Sequence, residues 1–177
     1  MNNKNSYIYN EVNKLINKYK TRNPFEIAEA LNIKVKYLDK ANKLLGFYTV
    51  IERNRFIFLN SNLDSYMARM ILAHELGHDR LHKHLTRKVI FQEYELFNIT
   101  SQSEYEANIF AAHLLLSDDE VSELVNKGLT DVEIAGLLNI NVNLLIFKMN
   151  EMNRYGANYN LREAPRSDFL KKLAKNN

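Results

Sequence analysis

The sequence predicts an α+β fold, because helix-like segments come first, strand-like segments follow and helix-like segments return. Residues 7–31 and much of residues 63–152 carry apolar residues at spacings of three and four, which is typical of helices that bury one face. Residues 33–59 are instead rich in alternating and β-branched or aromatic positions, which favour strands. The 177 residues suffice for one domain with a core, or for a domain with a small helical appendage.

Five elements are predicted before residue 62. Pro24 restarts a helix after a break, since proline suits the first helical turn. Ile33, Val35 and Tyr37 alternate with polar residues, which predicts the inward-facing row of a half-buried strand. The five elements are helices over residues 7–19 and 24–31 and the strands of a small three-stranded antiparallel sheet over residues 33–37, 45–51 and 55–59, the last two joined by a turn at residues 52–54.

Helices dominate the rest of the chain. A long helix over about residues 63–84 has candidate caps at residues 60–62, and Ser101 or Ser103 can cap the next helix. Residues 86–100 show no period and are predicted to form a loop. The long helix would turn inward Met67, Met70, Ile71, His74, His78 and Leu81. Further helices are predicted over residues 118–127, 131–138 and 142–152, and the predicted organisation is a domain over residues 1–117, a helical subdomain over 118–160 and a polar tail over 161–177.

Composition argues against several classes of protein. The net charge is only +3 and lysines are spread along the chain, so direct binding to nucleic acid is not expected. No apolar run approaches the roughly 18 residues needed to cross a bilayer, and the polar N-terminus is not a signal-peptide core. Because the chain has no cysteine, a metal would have to be bound by histidine and carboxylate side chains. We expect a cytoplasmic protein with no membrane partner.

Residues 74–78 read His-Glu-Leu-Gly-His on the apolar face of the long predicted helix. Residues four apart share a helix face, so His74 and His78 can bind one metal ion. Glu75 is rotated away from both and can approach a metal-bound water as a general base. Two ordinary helix histidines are the simpler alternative, but unpaired His and Glu side chains are costly to bury. Gly77 costs about 1 kcal/mol relative to alanine inside a helix, which indicates that a strand or substrate backbone comes close there.

A catalytic zinc usually has three protein ligands and one open position for water. The helix after residue 101 offers Glu104 or Glu106 as the third ligand, and the two point about 200° apart, so only one can face the metal. Glu104 is favoured because Asn108 lies one turn further on the same face, where it can orient a ligand histidine. The other glutamate would be an exposed carboxylate near a helix N-terminus.

The remaining histidines are expected to have structural roles. His82 lies about 12 Å along the helix axis from His74, so one ion cannot bind both of them together with His78 on a straight helix. His82 and His84 are expected to pack or to form hydrogen bonds. His113 is expected to lie on a helix surface.

Two motifs together resemble the ImmA/IrrE family of metallopeptidases. The first is the His-Glu-Leu-Gly-His segment with Leu-His at residues 81–82. The second is Glu-Tyr-Glu-Ala-Asn-Ile-Phe-Ala-Ala at residues 104–112, followed by three leucines at residues 114–116. The resemblance is strongest over about residues 44–117, and the preceding helix and strand region fits in order and length.

The resemblance implies a zincin-like fold, one zinc ion bound by His74, His78 and a glutamate of the second motif, and a catalytic Glu75. In related gluzincins the third ligand belongs to a Glu-x-x-x-Asp pattern, which aligns here with Glu104 and Asn108, asparagine replacing aspartate. Members on phages and conjugative elements are associated with cleavage of a cognate helix-turn-helix repressor, and others act in stress responses. Many members carry an N-terminal DNA-binding domain; this chain resembles the short, stand-alone type.

A DNA-binding protein is the main alternative from another class. Residues 130–142 have the cadence of a helix-turn-helix, but the second helix is rich in Leu, Ile and Phe and carries only Lys148 as a basic residue. A recognition helix needs polar and basic groups for bases and phosphates. We therefore interpret residues 118–160 as a packing or substrate-docking subdomain. A metal-bearing regulator that binds a partner without hydrolysis is a third hypothesis.

The predicted reaction is hydrolysis of a peptide bond. Zinc is preferred over manganese or iron from the ligand types, and a water bound to it has a lowered pKa. Glu75 would take the proton of that water and pass it to the leaving amine. The substrate, a protein such as a repressor, would bind as an added strand at a sheet edge beside the site.

Overall fold

A computed structural model of the chain describes residues 4–39, 43–83, 91–93 and 101–161. The order of helices and strands within these ranges confirms the predicted α+β class. His84, most of the predicted loop over residues 86–100 and the predicted tail beyond residue 161 lie outside the described residues.

Two helices open the chain where the sequence predicts them, α1 (Lys4–Tyr19) and α2 (Pro24–Ala30). Asn23 caps α2, because its side chain accepts a hydrogen bond from the backbone N–H of Phe25 at 3.0 Å. The proline takes the first helical turn, where its missing N–H costs nothing.

The described part of the sheet that follows has four strands in the order β1-β3-β2-β4. Strands β2 and β3 form an antiparallel hairpin, but β1 runs parallel to β3, so the prediction of antiparallel pairing was wrong for this pair. β3 lies between β1 and β2, although β2 follows β1 in the sequence, and an alternating pattern does not encode that order. β4 lies inside the predicted loop and is too short to show a period. The strands are β1 (Lys34–Leu38), β2 (Gly46–Ile51), β3 (Asn54–Asn60) and β4 (Phe91–Glu93).

The hairpin turn is confirmed, and it is tighter than predicted. Glu52 and Arg53 alone form it, with φ angles of 48° and 65°, and Ile51 already pairs with Asn54. Two left-handed residues match the twist of the flanking strands. The sequence predicted that Tyr37 faces inward together with Ile33 and Val35. This was wrong, because Tyr37 is 59% exposed on β1, a strand at the end of the described sheet.

The motif lies on α3 (Ser65–Leu81), and α4 (Gln102–Leu115) packs alongside it. Asp64 caps α3 by accepting a hydrogen bond from the backbone N–H of Met67 at 2.7 Å, so the caps predicted at residues 60–62 were wrong. Residues 70–79 of α3 are buried in every direction. The helix therefore lies inside the core, and its polar side chains need protein partners.

Asp79 attaches α3 to the sheet. Its carboxylate accepts a hydrogen bond from the hydroxyl of Tyr48 at 2.7 Å and from the guanidinium of Arg55 at 2.9 Å and 3.1 Å. Burial, with the charge of Asp79, raises the pKa of Tyr48 above its ordinary value. No sequence pattern predicted this contact, because the partners are 24 to 31 positions away from Asp79.

Gly77 allows the backbones of α3 and α4 to approach closely. A Cβ atom at residue 77 would lie 3.0 Å from Cα of Ala107 and 3.2 Å from Cβ of Phe110. The sequence predicted a close approach here by a strand or a substrate. The approaching backbone belongs instead to α4, the helix that carries the second motif.

Three more helices complete the described chain: α5 (Asp118–Asn126), α6 (Asp131–Leu137) and α7 (Val142–Arg154). Gly128, with φ of 79°, follows the end of α5 as predicted. Apolar side chains of these helices belong to the same hydrophobic core as those of α3 and α4. Among the described helices, none is alone long and apolar enough to span a membrane; only α6 and α7 joined across a bend of 112° reach that length and composition.

Alanine at residue 77 is expected to destabilise the protein. Crowding against α4 costs about 1–3 kcal/mol and outweighs a gain of about 1 kcal/mol in helix propensity. Gly136→Ala is the matched control, since a Cβ atom at this exposed helical position meets nothing within 4 Å. Urea unfolding should show a lower free energy of unfolding for Gly77→Ala and a higher one for Gly136→Ala. Equal stabilisation by both substitutions would contradict the close approach.

Candidate metal centre

Helices α3 and α4 bring three predicted metal ligands together. His74 and His78 lie one turn apart on α3, and Glu104 lies in the first turn of α4. Ser101 caps α4 and accepts a hydrogen bond from the backbone N–H of Glu104 at 3.3 Å, which fixes the start of this helix. The positive end of the helix dipole favours a carboxylate at this position.

The donor atoms of these three residues converge. Nε2 of His74 lies 3.1 Å from Nε2 of His78 and 3.1 Å from Oε2 of Glu104. Nε2 of His78 lies 3.5 Å from Oε1 of Glu104, and all three ligand atoms lie within 4.8 Å of one another. Two ligands of a tetrahedral zinc, each about 2.0–2.1 Å from the ion, are separated by about 3.3 Å. The three residues could therefore hold one metal ion of this size.

Asn108 orients the imidazole of His74 as a metal ligand requires. Its amide oxygen, which can only accept, lies 2.8 Å from Nδ1 of His74. Nδ1 of His74 therefore carries a proton, and Nε2, on the side of Glu104, is the ring nitrogen that could bind a metal. The position predicted for Asn108, one turn beyond Glu104, is the position that it occupies.

The electrostatics also suit a cation. Burial, with the neighbouring His74, lowers the pKa of His78 to about 4, against the opposing effect of Glu104. His78 is therefore neutral near pH 7 and can offer a lone pair. Burial alone would raise the pKa of Glu104, but its contacts with the two imidazoles hold that pKa below its usual range. The site thus presents the imidazoles of His74 and His78 and one carboxylate.

Glu75 is fully buried beside His74 and does not belong to the converging group. Successive helix residues point about 100° apart, so its carboxylate is directed away from the ligand positions. This is the arrangement that the motif predicts for a general base. Its catalytic role stays a prediction.

Glu106, the rival third ligand, faces elsewhere. Its carboxylate lies 3.0 Å from Nε2 of His82 and accepts a hydrogen bond from the amide of Gln102 at 2.7 Å. It was expected to be an exposed carboxylate, but its side chain is only 29% exposed and pairs with a buried histidine. The expected hydrogen-bonding role of His82 agrees with this contact. Sequence reasoning missed the pairing, although the Leu-His that follows the first motif was a signal for it.

His113 was predicted to lie on a helix surface, and this was wrong. It is 3% exposed, its Nδ1 lies 3.2 Å from Nζ of Lys148, and its ring packs edge-on against Tyr9 at 5.1 Å. Burial, with the charge of Lys148, lowers its pKa to about 3. α7 covers this end of α4, which a local pattern could not show.

Comparison with known proteins identifies a metallopeptidase. The chain matches the sequence model of the IrrE N-terminal-like domain, a peptidase family, over residues 28–150, and it belongs to this ImmA/IrrE family. It is 40% identical to an uncharacterized immunity region protein 2 of Bacillus phage phi105 over 124 residues, which are 70% of this chain and 77% of that protein. It is 29% identical to the metallopeptidase ImmA of Bacillus subtilis (strain 168) over 153 residues, which are 84% of this chain and 87% of that protein.

Glu104→Gln is expected to weaken zinc binding by more than about 100-fold, because a neutral amide replaces the only carboxylate among the three donors. Competition against a chromophoric chelator gives the dissociation constant. Glu123→Gln is the control, since this exposed glutamate on α5 forms an ion pair with Lys127 on the protein surface. Unchanged zinc affinity in Glu104→Gln would show that the metal lies elsewhere.

Proposed function

We propose that the protein is a zinc-dependent endopeptidase in which His74, His78 and Glu104 hold the ion. One observation carries the proposal: within a metallopeptidase family, the converging donor set of this chain is two imidazoles and one carboxylate. That set suits zinc and leaves a fourth tetrahedral position for water. Zinc bound there would lower the pKa of that water and polarise the scissile carbonyl.

The protein groups divide the remaining work. Glu75 takes the proton of the attacking water and delivers it to the leaving amine, since it lies one residue from a ligand and points away from the ligand positions. Asn108 keeps His74 oriented through the hydrogen bond at 2.8 Å. Because His74, Glu75 and His78 are buried on α3, bulk water is kept away from their side chains.

We propose a protein substrate, bound as an added strand. Within the described residues the sheet ends in β1 on one side and β4 on the other, and an edge strand offers unpaired backbone groups to an extended peptide. The similarity to an immunity region protein of a phage supports a role in a phage or mobile element, and the similarity to a metallopeptidase supports a protein substrate. The substrate we favour is a cognate helix-turn-helix repressor in the cytoplasm, whose cleavage would release the genes that it holds silent.

The described geometry disfavours the DNA-binding alternative. Nine of the 13 residues of α7, the presumptive recognition helix, are buried. Lys148 is 1% exposed and pairs with Asp118, and Arg154 pairs with Glu151 at 3.0 Å. A recognition helix must expose its side chains to base edges and phosphates, whereas this one packs against α4. We propose that residues 118–160 form a packing or substrate-docking subdomain.

Removal of the metal tests the zinc proposal. A chelator should abolish cleavage of a protein substrate, because the nucleophilic water would lose its activation, and one equivalent of zinc should restore it. Gel-based assays would measure the loss of cleavage in chelator and its recovery with zinc. In the control, the protein is treated with chelator and dialysed, and no zinc is added back. Full cleavage in excess chelator would exclude the proposed mechanism.

Glu75→Gln tests hydrolysis against metal-dependent binding. The variant should keep its zinc, since Glu75 is not among the converging donors, but its cleavage rate should fall by at least about 100-fold through loss of the general base. Wild type, Glu75→Gln and the control Glu123→Gln would each be incubated with the candidate repressor encoded beside the gene, and products identified by intact mass. If wild type and Glu75→Gln both inactivate the repressor and leave its mass unchanged, the protein is a regulator that does not hydrolyse it.

A further inference from the structure

A chain of hydrogen bonds leads away from the second ligand histidine. Nδ1 of His78 lies 3.2 Å from Nδ1 of His82, and Nε2 of His82 lies 3.0 Å from Oε2 of Glu106. The amide of Gln102 donates to the other oxygen of Glu106 at 2.7 Å. His82 is 4% exposed, so these hydrogen bonds start in the protein interior, and they end at the surface with the exposed Gln102.

The chemistry of its members gives this chain a direction. An ionised carboxylate only accepts hydrogen bonds, so Nε2 of His82 donates to Glu106. A neutral His82 then has a lone pair on Nδ1 and accepts from His78. The proton of His78 therefore lies on Nδ1, and its Nε2 lone pair faces Nε2 of His74 and the carboxylate of Glu104. If the direction of these hydrogen bonds were reversed, a proton on Nε2 of His78 would block coordination.

We propose that His82 and Glu106 are positioning residues that fix the tautomer and ring orientation of His78 for metal binding. This inference rests on the proposed zinc site and extends it to residues two and four positions beyond the ligands. It gives each ligand histidine a partner, Asn108 for His74 and His82 for His78. It also assigns separate tasks to two glutamates of α4: Glu104 faces the ion, and Glu106 acts on it through two imidazoles.

Three variants test the positioning role. His82→Phe keeps a ring but removes the acceptor, and it should weaken zinc binding by about 10–100-fold. His82→Asn places an amide oxygen near the position of Nδ1 and should restore most of the affinity. Glu106→Gln preserves volume but can turn an N–H toward His82 and reverse the direction of the hydrogen bonds. It should therefore also weaken zinc binding by about 10-fold or more. Glu123→Gln is the matched carboxylate control.

The readouts are independent of catalysis. Zinc affinity comes from chelator competition, and the visible absorption of the cobalt-substituted proteins reports ligand geometry, which should change in His82→Phe and return in His82→Asn. Long-range nitrogen–proton NMR spectra of the zinc-loaded wild type should show the protons on Nδ1 of His78 and on Nε2 of His82. Circular dichroism checks folding, and if His82→Phe does not fold, Glu106→Gln decides.

Two outcomes separate this inference from the proposed function. If wild type binds one zinc ion while His82→Phe and Glu106→Gln retain its affinity and cobalt spectrum, the positioning role is overturned and the zinc site stands. If wild type binds no zinc, the proposed function and the positioning role fail together.

Discussion

The close packing of α3 on α4 is the constraint on which the site depends. Gly77 and Ala107 meet with no room for an added Cβ atom. Gly77 lies between His74 and His78 on α3, and Ala107 lies between Glu104 and Asn108 on α4. Glu104 can reach two imidazoles of α3 only because the backbones approach this closely. The glycine therefore costs helix propensity but allows three donor atoms from two helices to meet.

Burying that helix contact places several polar groups in the core, where each needs a partner. Asp79 is paired with Tyr48 and Arg55, which also aligns α3 with the sheet. The imidazoles are paired through Asn108 and His82, so the same hydrogen bonds that satisfy them direct their lone pairs. Stability and ligand orientation thus depend on one set of contacts.

Predictions from the sequence succeeded where the relevant information is local. Helix periodicity placed the two motif histidines on one face, and the same 100° step per residue allowed only one of Glu104 and Glu106 to face them. The position of Asn108, one turn beyond Glu104, favoured Glu104. They failed where contacts join distant segments. The parallel pairing of β1 with β3 depends on chain order in the sheet, and the burial of His113 depends on Lys148, 35 positions later.

By itself, the sequence determined which residues can share a helix face, since spacing along a helix fixes direction without any other part of the chain. It therefore contained the donor types, their turn-by-turn alignment and the family motifs. Only the tertiary structure decided which faces meet. Packing between elements produced three contacts: α4 against Gly77, Arg55 on Asp79, and Glu106 on His82. Side chains far apart in sequence become neighbours only when the core forms around them.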